Sequence, residues 1–547
     1  MGIPSYFSYI VRNHRSIIKK LDSKNFPKIN NLYLDCNSFI YDAYHRIQGE
    51  HNKTNIYKNK SEKEYYKLIE KNIIKNVCDS LVKSIKTITP DKRVFIAFDG
   101  VAPVAKLDQQ RNRRYMSAFQ NSLNNTKQND IPYVWNTSSI TPGTDFMFKL
   151  GNEVNKRFKN PNEFNLESII VSSSNESGEG EHKIYEYIRN EANYHKDTTT
   201  IIYGLDADLI MLTLNHLHIS EKLYLYRETP EFIKHIDKSL NPNESYLLDI
   251  PLFAKHIIKE LSIVPIENID NIILKNDILF DYIFICFLLG NDFLPHFPAL
   301  NIRTNGINNL INAYKAVFEK TTNETLTKNR EIVWKNFRKY IEYISYNELD
   351  FIKEEYSYRE KLSKRLQYNN NQEKDKDENL MLPLKERETE IYINPNEHGW
   401  EFRYYKSLFN IKINDEQRKE ISTNYLEGLE WTMKYYSTGC ANWRWQYHYY
   451  YPPLLTDLIK FIPYFEHTFI PTEPKNPVSE LTQLSYVLPP VSMGLIPNNL
   501  RKKLLEEQPE WYVGNYIFLW AFCKFFWEAH VDLPHIDINI LEKIVNS

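Results

Sequence analysis

Short apolar runs alternate with helical periods over roughly the first 310 residues of the chain. The runs are Leu32 to Leu34, Val94 to Phe98, Ser168 to Val171 and Thr198 to Tyr203. β-rich runs interleaved with helix-period stretches predict an α/β fold with a parallel sheet flanked by helices. From about 307 to 366 the apolar period is helical. Residues 367–379 are polar and charged with no apolar period, which predicts a solvated linker. We therefore expect a first region over 1–366, a linker over 367–390 and a second region over 391–547, mixed but mainly helical and packed on the first.

The second region is crowded with rings: Trp431, Tyr435, Tyr436, Trp443, Trp445, Tyr447, Tyr449, Tyr450 and Tyr451. Such a cluster is ordinarily core, although exposed rings can stack nucleic-acid bases. No internal repeat is present.

Five segments place carboxylates where an apolar run stops. They are Leu32 to Asp35, Val94 to Asp99, Gly178 to Glu181, Gly204 to Asp208, and Leu289 to Asp292. In open α/β sheets ligands bind beyond the carboxyl ends of the strands, so acids placed there point into a shared crevice. Seven acids in one crevice would repel one another unless cations neutralised them. A hard divalent cation takes oxygen ligands, and a pair of such ions can activate a water against a phosphodiester. For any one Asp taken alone, a helix cap or a solvated position is the ordinary reading.

Bulk composition narrows the classes without choosing among them. At 547 residues the chain is too long for one core, and 42% hydrophobic residues suffice to bury two. Lys+Arg 68 against Asp+Glu 70 leaves a net charge of −2, so a nucleic-acid partner must be argued from local patches. Five cysteines lie far apart with no CxxC pair, against a zinc knuckle or a disulfide framework and consistent with a reducing compartment. The apolar runs Tyr282 to Leu289 and Tyr516 to Phe526 are too short to span a bilayer, and the N-terminus lacks a signal-peptide pattern.

Directly after Asp99 the segment through Arg114 is helix-forming once Pro103 is passed. Lys106, Gln110, Arg113 and Arg114 fall at i, i+4, i+7 and i+8, one helical face. Three cations and an amide tethered to a metal-ligand Asp suit capture of a phosphate, Arg supplying bidentate geometry. Without the acids, the same face reads equally well as a solvated basic stripe.

At these residues the chain resembles the eukaryotic Xrn-type 5′→3′ exoribonucleases. The resemblance runs through Met1 to Phe7, Asp99 to Arg114, Ile140 to Thr144, Gly178 to Lys183, Tyr203 to Ile210 and Gly290 to His296. It continues through Phe402 to Lys406, Tyr425 to Trp431, Trp443 to Trp445, Val487 to Pro490 and Trp527 to Ala529, nearly end to end. It implies a PIN/flap-nuclease-like sheet domain with a second region enclosing the active site. The implied ligands of two Mg²⁺ ions, with Mn²⁺ as a substitute, are Asp35, Asp99, Glu179, Glu181, Asp206, Asp208 and Asp292. Glu176 has a counterpart and joins from behind them. Lys106, Gln110, Arg113 and Arg114 match the pocket for the 5′-monophosphate of single-stranded RNA, and one Trp of the Trp443-Arg444-Trp445 segment, Trp443 or Trp445 with Trp443 favoured, matches a base-stacking ring.

Three departures from the family matter. Tyr41 stands where a stacking His is typical, so stacking can persist but no imidazole charge can. The chain stops shortly after the second region, without the extra C-terminal domains of the large members. The Cys/His knuckle of some nuclear members is absent, which points to the cytoplasmic branch. The resemblance also carries the expectation of a monomer and of mRNA decay, with the decapping machinery as a candidate partner. A compact member rich in Asn, Lys, Ile and Tyr suits a large DNA virus or an AT-rich protist, with the host cytoplasm as the compartment in the viral case. The leading expectation is a processive Mg²⁺-dependent exonuclease releasing nucleoside 5′-monophosphates. Alternatives are a structure-specific flap DNA nuclease, built on similar strand-end acids, and a non-catalytic RNA-binding scaffold.

Overall fold

The β-branched and aromatic runs become strands in a computed structural model of the chain. The structure describes residues 2–3, 5–21, 27–54, 60–125, 134–228, 238–241, 244–262, 277–319, 324–369, 380–411, 414–471 and 476–547. Two compact units divide it. One, the sheet unit, comprises Ser8–Ala254, Lys475–Gly514 and Pro534–Ser547, and the other, the helical unit, comprises Met1–Phe7, Lys255–Pro474 and Asn515–Leu533.

The sheet unit is built on seven strands: β1 (Ile18–Lys20), β2 (Asn31–Asp35), β3 (Arg93–Ala97), β4 (Ser168–Ser172), β5 (Thr200–Tyr203), β6 (Leu223–Glu228) and β7 (Ser245–Leu248). Their order across the sheet is β1-β7-β6-β5-β2-β3-β4. The five strands from β4 to β6 are parallel, with Leu32 opposite Val94 on one side and Ile201 on the other. Both faces of β2 are buried, Leu32 and Leu34 in one apolar core and Tyr33 against Phe95, Tyr187 and His195, which is why the three are apolar in succession.

The sheet is mixed, where an all-parallel one was expected: β7 runs antiparallel to β6, and β1 antiparallel to β7. These two strands have three and four residues, too few to carry a clear period. Lys19 and Lys20 also make β1 read as polar, as suits a strand at a sheet edge.

From β2 the chain steps outward to β3 and β4, then returns to the far side of β2 as β5. The order reverses between β2 and β5, so this pair is the switch point at which such sheets open a crevice. The long helix Glu62–Ile88 starts at a capping box in which Ser61 and Glu64 satisfy each other's backbone N–H groups. It buries Tyr65, Ile69, Ile73, Val77, Leu81, Ile85 and Ile88, spaced at three and four, in a core shared with β2 and β3.

The last segments of the chain belong to this unit. Val101, Ala102, Val104 and Leu107 share one apolar core with Leu484, Val487, Leu488, Leu504, Trp511, Leu541 and Ile544. The division into units therefore does not follow the 367–390 boundary read from composition. Residues 370–379 of that linker lie outside the described residues, while Glu348–Asn369, Leu382–Lys385 and Glu388–Ile393 are helical.

The helical unit contains Asp277–Cys286, Gly306–Phe318, Trp334–Tyr346, Trp400–Phe409 and Asp415–Ser437 among its helices. Trp431 is stacked on Tyr435 at 4.7 Å and on Trp445 at 5.3 Å, so these rings are core. Glu390 takes Arg359 at 2.5 and 2.9 Å and Arg387 at 2.7 Å. Burial alone would raise its carboxyl, but the two guanidiniums outweigh burial and hold it low.

Arg111 ties the helix Val104–Asn125 to the chain's last segments, donating to the Pro534 carbonyl at 2.6 Å and the Trp511 carbonyl at 2.8 Å. Arg111→Met keeps the stem and strands both carbonyls. We expect it to lower the stability of the sheet unit by about 2–3 kcal/mol, read as an earlier urea-unfolding transition followed by fluorescence.

Candidate active site

Acids reach the carboxyl end of the sheet because each strand of the switch region ends in a short loop carrying them. Asp35 is the last residue of β2, and Asp99 lies two residues beyond β3. After β5, Gly204 to Asp208 leads into the helix Asp208–His216; after β4, the loop through Glu176 leads into the helix Gly180–Asn190, with Glu179 as its N-cap. Glu181 and Asp208 thus sit in first helical turns, where the backbone dipoles favour negative charge.

Glycines let these loops close on one another. Gly100 N–H donates to the Gly178 carbonyl at 2.9 Å, and Gly178 N–H to the Val101 carbonyl at 2.7 Å. A side chain at Gly100 would place its Cβ 1.7 Å from the Glu176 carbonyl oxygen. At Gly180 a Cβ would lie 2.6 Å from Asp35 Oδ1 and 3.4 Å from Asp99 Oδ1. The carboxylates of β2 and β3 therefore converge on the start of the helix that carries Glu181. Gly180 N–H donates to Asp99 Oδ1 at 2.6 Å, while the Asn37 amide accepts from Asp99 N–H at 3.1 Å and donates to Asp99 Oδ2.

Crowding of buried acids dominates the electrostatics. Burial pushes Asp35 well above the usual carboxylate range, and Asp99, Asp206 and Glu179 push it further. Glu181 is raised well above that range by burial, then by Asp208 and Glu179, against the pull of Lys106. Asp99 is raised by burial and Glu179, with the Gly180 N–H, Lys106 and Lys183 opposing. Lys106 Nζ lies 2.7 Å from Glu179 Oε1, both side chains buried. Lys183 donates to the carbonyls of Phe98 at 2.9 Å and Ser173 at 2.8 Å, tying the ends of β3 and β4, and burial pushes it down to about 8. Ser172 Oγ donates to Glu176.

Two of the buried oxygens, Asp35 Oδ1 and Glu181 Oε2, have no hydrogen-bond partner among the described residues. Orphaned carboxylate oxygens in a cluster made mostly of oxygen donors are what a hard divalent cation satisfies, so the donor set fits one. Glu179, Glu181 and His182 also bring ligand atoms within 4.8 Å of one another. His182 was not singled out from the sequence, although it directly follows Glu181 on the first helical turn. Burial, then Lys106, Arg189 and His216, hold its pKa well below the usual value, so its imidazole is neutral.

The basic face lies on the helix Val104–Asn125, as its spacing predicts. Arg114 donates to Thr141 Oγ1 from Nε at 3.2 Å and Nη2 at 2.7 Å, and from Nη1 to the Gln110 carbonyl at 3.1 Å. Burial lowers its pKa, opposed by Tyr41 and then Asp99, with Arg113 adding to the lowering. Tyr41, on Asn37–Thr54, is 41% exposed. Thr141 and Gln483, which meets Gln110, were missed; neither carries a charge pattern to mark it.

The remaining expected residues belong to the helical unit. Asp292 follows no strand, contrary to the sequence expectation. It follows the helix Asp277–Cys286 and a 3₁₀ turn over Phe287–Leu289. A short run that is apolar on all sides reads alike as a buried strand or a buried helix, which is why Tyr282 to Leu289 misled. Asp292 is buried in a tight turn where Gly290 has φ +83 and Asn291 Oδ1 accepts from the N–H groups of Phe293 and Leu294, each at 2.9 Å. Trp445 is 8% exposed and donates to Glu427 at 3.2 Å, whereas Trp443 is only partly buried.

Residues 1–229 match the family model of the XRN 5′-3′ exonuclease N-terminus, and residues 273–391 and 384–546 match that of the Xrn1 helical domain. The chain is 27% identical to 5′-3′ exoribonuclease 1 of Saccharomyces cerevisiae, over 93% of this chain and 40% of the yeast protein. It is 27% identical to 5′-3′ exoribonuclease 1 of Homo sapiens, over 98% of this chain and 33% of the human protein. To the 5′-3′ exoribonuclease 2 homolog of Drosophila melanogaster it is 26% identical, over 99% of this chain and 70% of the fly protein. The chain thus spans well under half the length of the yeast and human relatives.

Asp35, Asp99 and Glu181 each hold a proton more tightly in the folded than in the unfolded chain. The stability this lends is complete below the ordinary carboxylate range and is lost as pH rises through the raised folded values. With divalent cations chelated, Asp35→Asn should melt above wild type at pH 8, by at least about 2 °C, the shift about 1 kcal/mol gives a unit of this size. The gap should close toward pH 4, as followed by differential scanning fluorimetry across the pH series.

Proposed function

The chain belongs to the family of XRN 5′-3′ exonucleases, and from that membership we propose that it is a processive 5′→3′ exoribonuclease acting on single-stranded RNA with a 5′-monophosphate. The observation that carries the reading is the 2.7 Å ion pair between Lys106 and Glu179. It joins the basic helix to the carboxylate cluster, so a terminal phosphate held by that helix lies beside the acids, and only the first internucleotide bond is presented for cleavage. The strand order with its switch at β2 and β5 supports a PIN-like nuclease fold.

Asp35, Asp99, Glu179, Glu181, Asp206 and Asp208 would hold two Mg²⁺ ions, Mn²⁺ substituting, with Glu176 behind them. Such ions, when bound, supply an activated water and stabilise the leaving oxygen of the phosphodiester. The protein's own groups do the positioning. Arg113 and Arg114 give planar donors to the 5′-phosphate, Lys106 a point charge and Gln110 an amide. Tyr41 offers an exposed ring for a base. Asp292 and Trp443, in the helical unit, are proposed from the resemblance alone as a further ligand and a stacking ring.

Asp208→Ala, which removes a buried acid 2% exposed, should abolish RNA decay while leaving the melting temperature unchanged or higher, since repulsion goes with the ligand. Decay and melting are measured side by side with Mg²⁺; equal decay by wild type and variant removes the metal assignment.

RNA bearing a 5′-monophosphate should be degraded far faster than the same RNA with a triphosphate, a cap or a 5′-hydroxyl, or than a flap DNA of equal length. The hydroxyl leaves the pocket's cations unmatched, at a cost of about 1–3 kcal/mol. Arg113→Ala and Arg114→Ala should erase that preference; an equal slowing of all RNA substrates instead assigns the helix to general electrostatic attraction.

Stacking contributes about 1–3 kcal/mol per base, enough to slow release by one or two decades. Under excess unlabelled trap RNA, Tyr41→Ala and Trp443→Ala should therefore digest shorter stretches per encounter than wild type. Full-length digestion by both variants would return these rings to a packing role.

A further inference from the structure

We propose that Gln483 is a positioning residue for the 5′-phosphate: through the Gln110 amide it fixes which end of that amide faces the terminal phosphate. The proposal deepens the reading above and rests on it. Gln483 lies on the helix Glu480–Val487, capped by Ser479, and is 0% exposed. A fully buried amide must have its polar ends satisfied, and here they are satisfied in sequence. Ala102 N–H donates to Gln483 Oε1 at 2.8 Å, and Gln483 Nε2 donates to Gln110 Oε1 at 3.3 Å.

The chain of bonds has a direction that shape alone would not give, since the two ends of an amide side chain are nearly alike. A backbone N–H can only donate, so the end of Gln483 that meets Ala102 is the oxygen. Its other end is then the nitrogen, and the end of Gln110 that meets it is an oxygen. Gln110 is left with its two N–H donors turned away from Gln483, on the helix face it shares with Lys106, Arg113 and Arg114.

A phosphate monoester presents only acceptors. Turned the other way, Gln110 would offer it a carbonyl oxygen and repel it. The same short helix is also tied to the far side of the basic helix, Tyr486 donating its hydroxyl to Asp108 Oδ1 at 2.6 Å. It also backs the turn that holds Arg114: a Cβ at Gly143, where φ is +88, would lie 3.1 Å from Glu480 Cβ, and Thr141 of that turn accepts from Arg114. Its rigidity comes from Leu484, Val487 and Leu488, packed with Val101, Ala102, Val104 and Leu107. The helix Glu480–Val487 thus takes the acceptor end of Gln110 to itself and leaves its donors for the phosphate.

The test compares full-length wild type, Gln483→Met, Gln110→Met and the double variant on two RNAs of one sequence, with a 5′-monophosphate or a 5′-hydroxyl, in Mg²⁺. Gln483→Met should lower kcat/KM for the monophosphate RNA about tenfold, through KM with kcat little changed, as loss of one hydrogen bond to a charged group implies. Decay of the 5′-hydroxyl RNA should change less than about twofold, and the double variant should be no worse than Gln110→Met alone. Should Gln483→Met fail to fold, as judged by melting, Gln483→Asn replaces it; one methylene short of reaching both partners, it carries the same expectation. Equal slowing of both RNAs, or a double variant whose defect is the product of the two single defects, overturns the positioning role. A wild type that does not prefer the monophosphate overturns the pocket itself and the inference with it, whereas a preference that Gln483→Met leaves intact overturns the inference alone.

Discussion

Mutual repulsion among carboxylates buried at the β2/β5 switch point is the constraint on which the sheet unit is organised. Burial raises Asp35, Asp99 and Glu181 above the usual carboxylate range, and neighbouring acids raise each of them further. The surrounding structure answers with donors and cations brought in from outside the strands. Gly180 N–H and Asn37 hold Asp99, Lys106 meets Glu179, and Lys183 ties the backbone behind them. None of these contacts leaves room for slack. At Gly100 and Gly180 backbone and carboxylates approach too closely for a side chain, and Gly178 has φ +105, a conformation that favours glycine.

That answer is incomplete, and the incompleteness is informative. Asp35 Oδ1 and Glu181 Oε2 remain buried without a hydrogen bond among the described residues, while the lysines present already engage other partners. A protein that needed only a stable core would have replaced these acids with apolar residues, since a partly satisfied polar cluster is worse than none. Retained strain of this kind belongs to a site that is completed by what it binds.

Much of this was legible in the sequence because it is local. Asp35, Asp99, Asp206 and Asp208 were readable as strand-end acids, since each lies within a few residues of a β-branched run. The face formed by Lys106, Gln110, Arg113 and Arg114 follows from helical spacing alone. What the sequence hid is set by contacts between distant segments. Asp292 was placed after a strand because an all-apolar run carries no period to distinguish strand from helix. The edge strands β1 and β7 were too short to register. The linker over 367–390 stood out by composition, yet composition says nothing about Leu484 or Ile544 returning to the core under Val104. His182, Thr141 and Gln483 escaped because their roles are defined by a partner and not by a pattern.

The return of residues 475–514 and 534–547 to the sheet unit gives the basic helix a property its own sequence does not supply. An isolated helix with Lys106, Gln110, Arg113 and Arg114 on one face would present a freely rotating amide along with its cations. Arg111 anchors the helix by its opposite side to the carbonyls of Trp511 and Pro534, so the helix cannot roll. Tyr486 engages Asp108, and Gln483 orients Gln110. Lys106 then links this sorted face to the carboxylates through Glu179. Affinity for a phosphate needs only positive charge, but discrimination between one phosphate, three and none needs donors held in fixed directions. Chain segments some 370 residues beyond the helix reach it through the Gln110–Gln483 and Tyr486–Asp108 bonds. On the reading proposed above, selectivity for the 5′ end would belong to the assembled sheet unit and not to the helix alone that carries the charges.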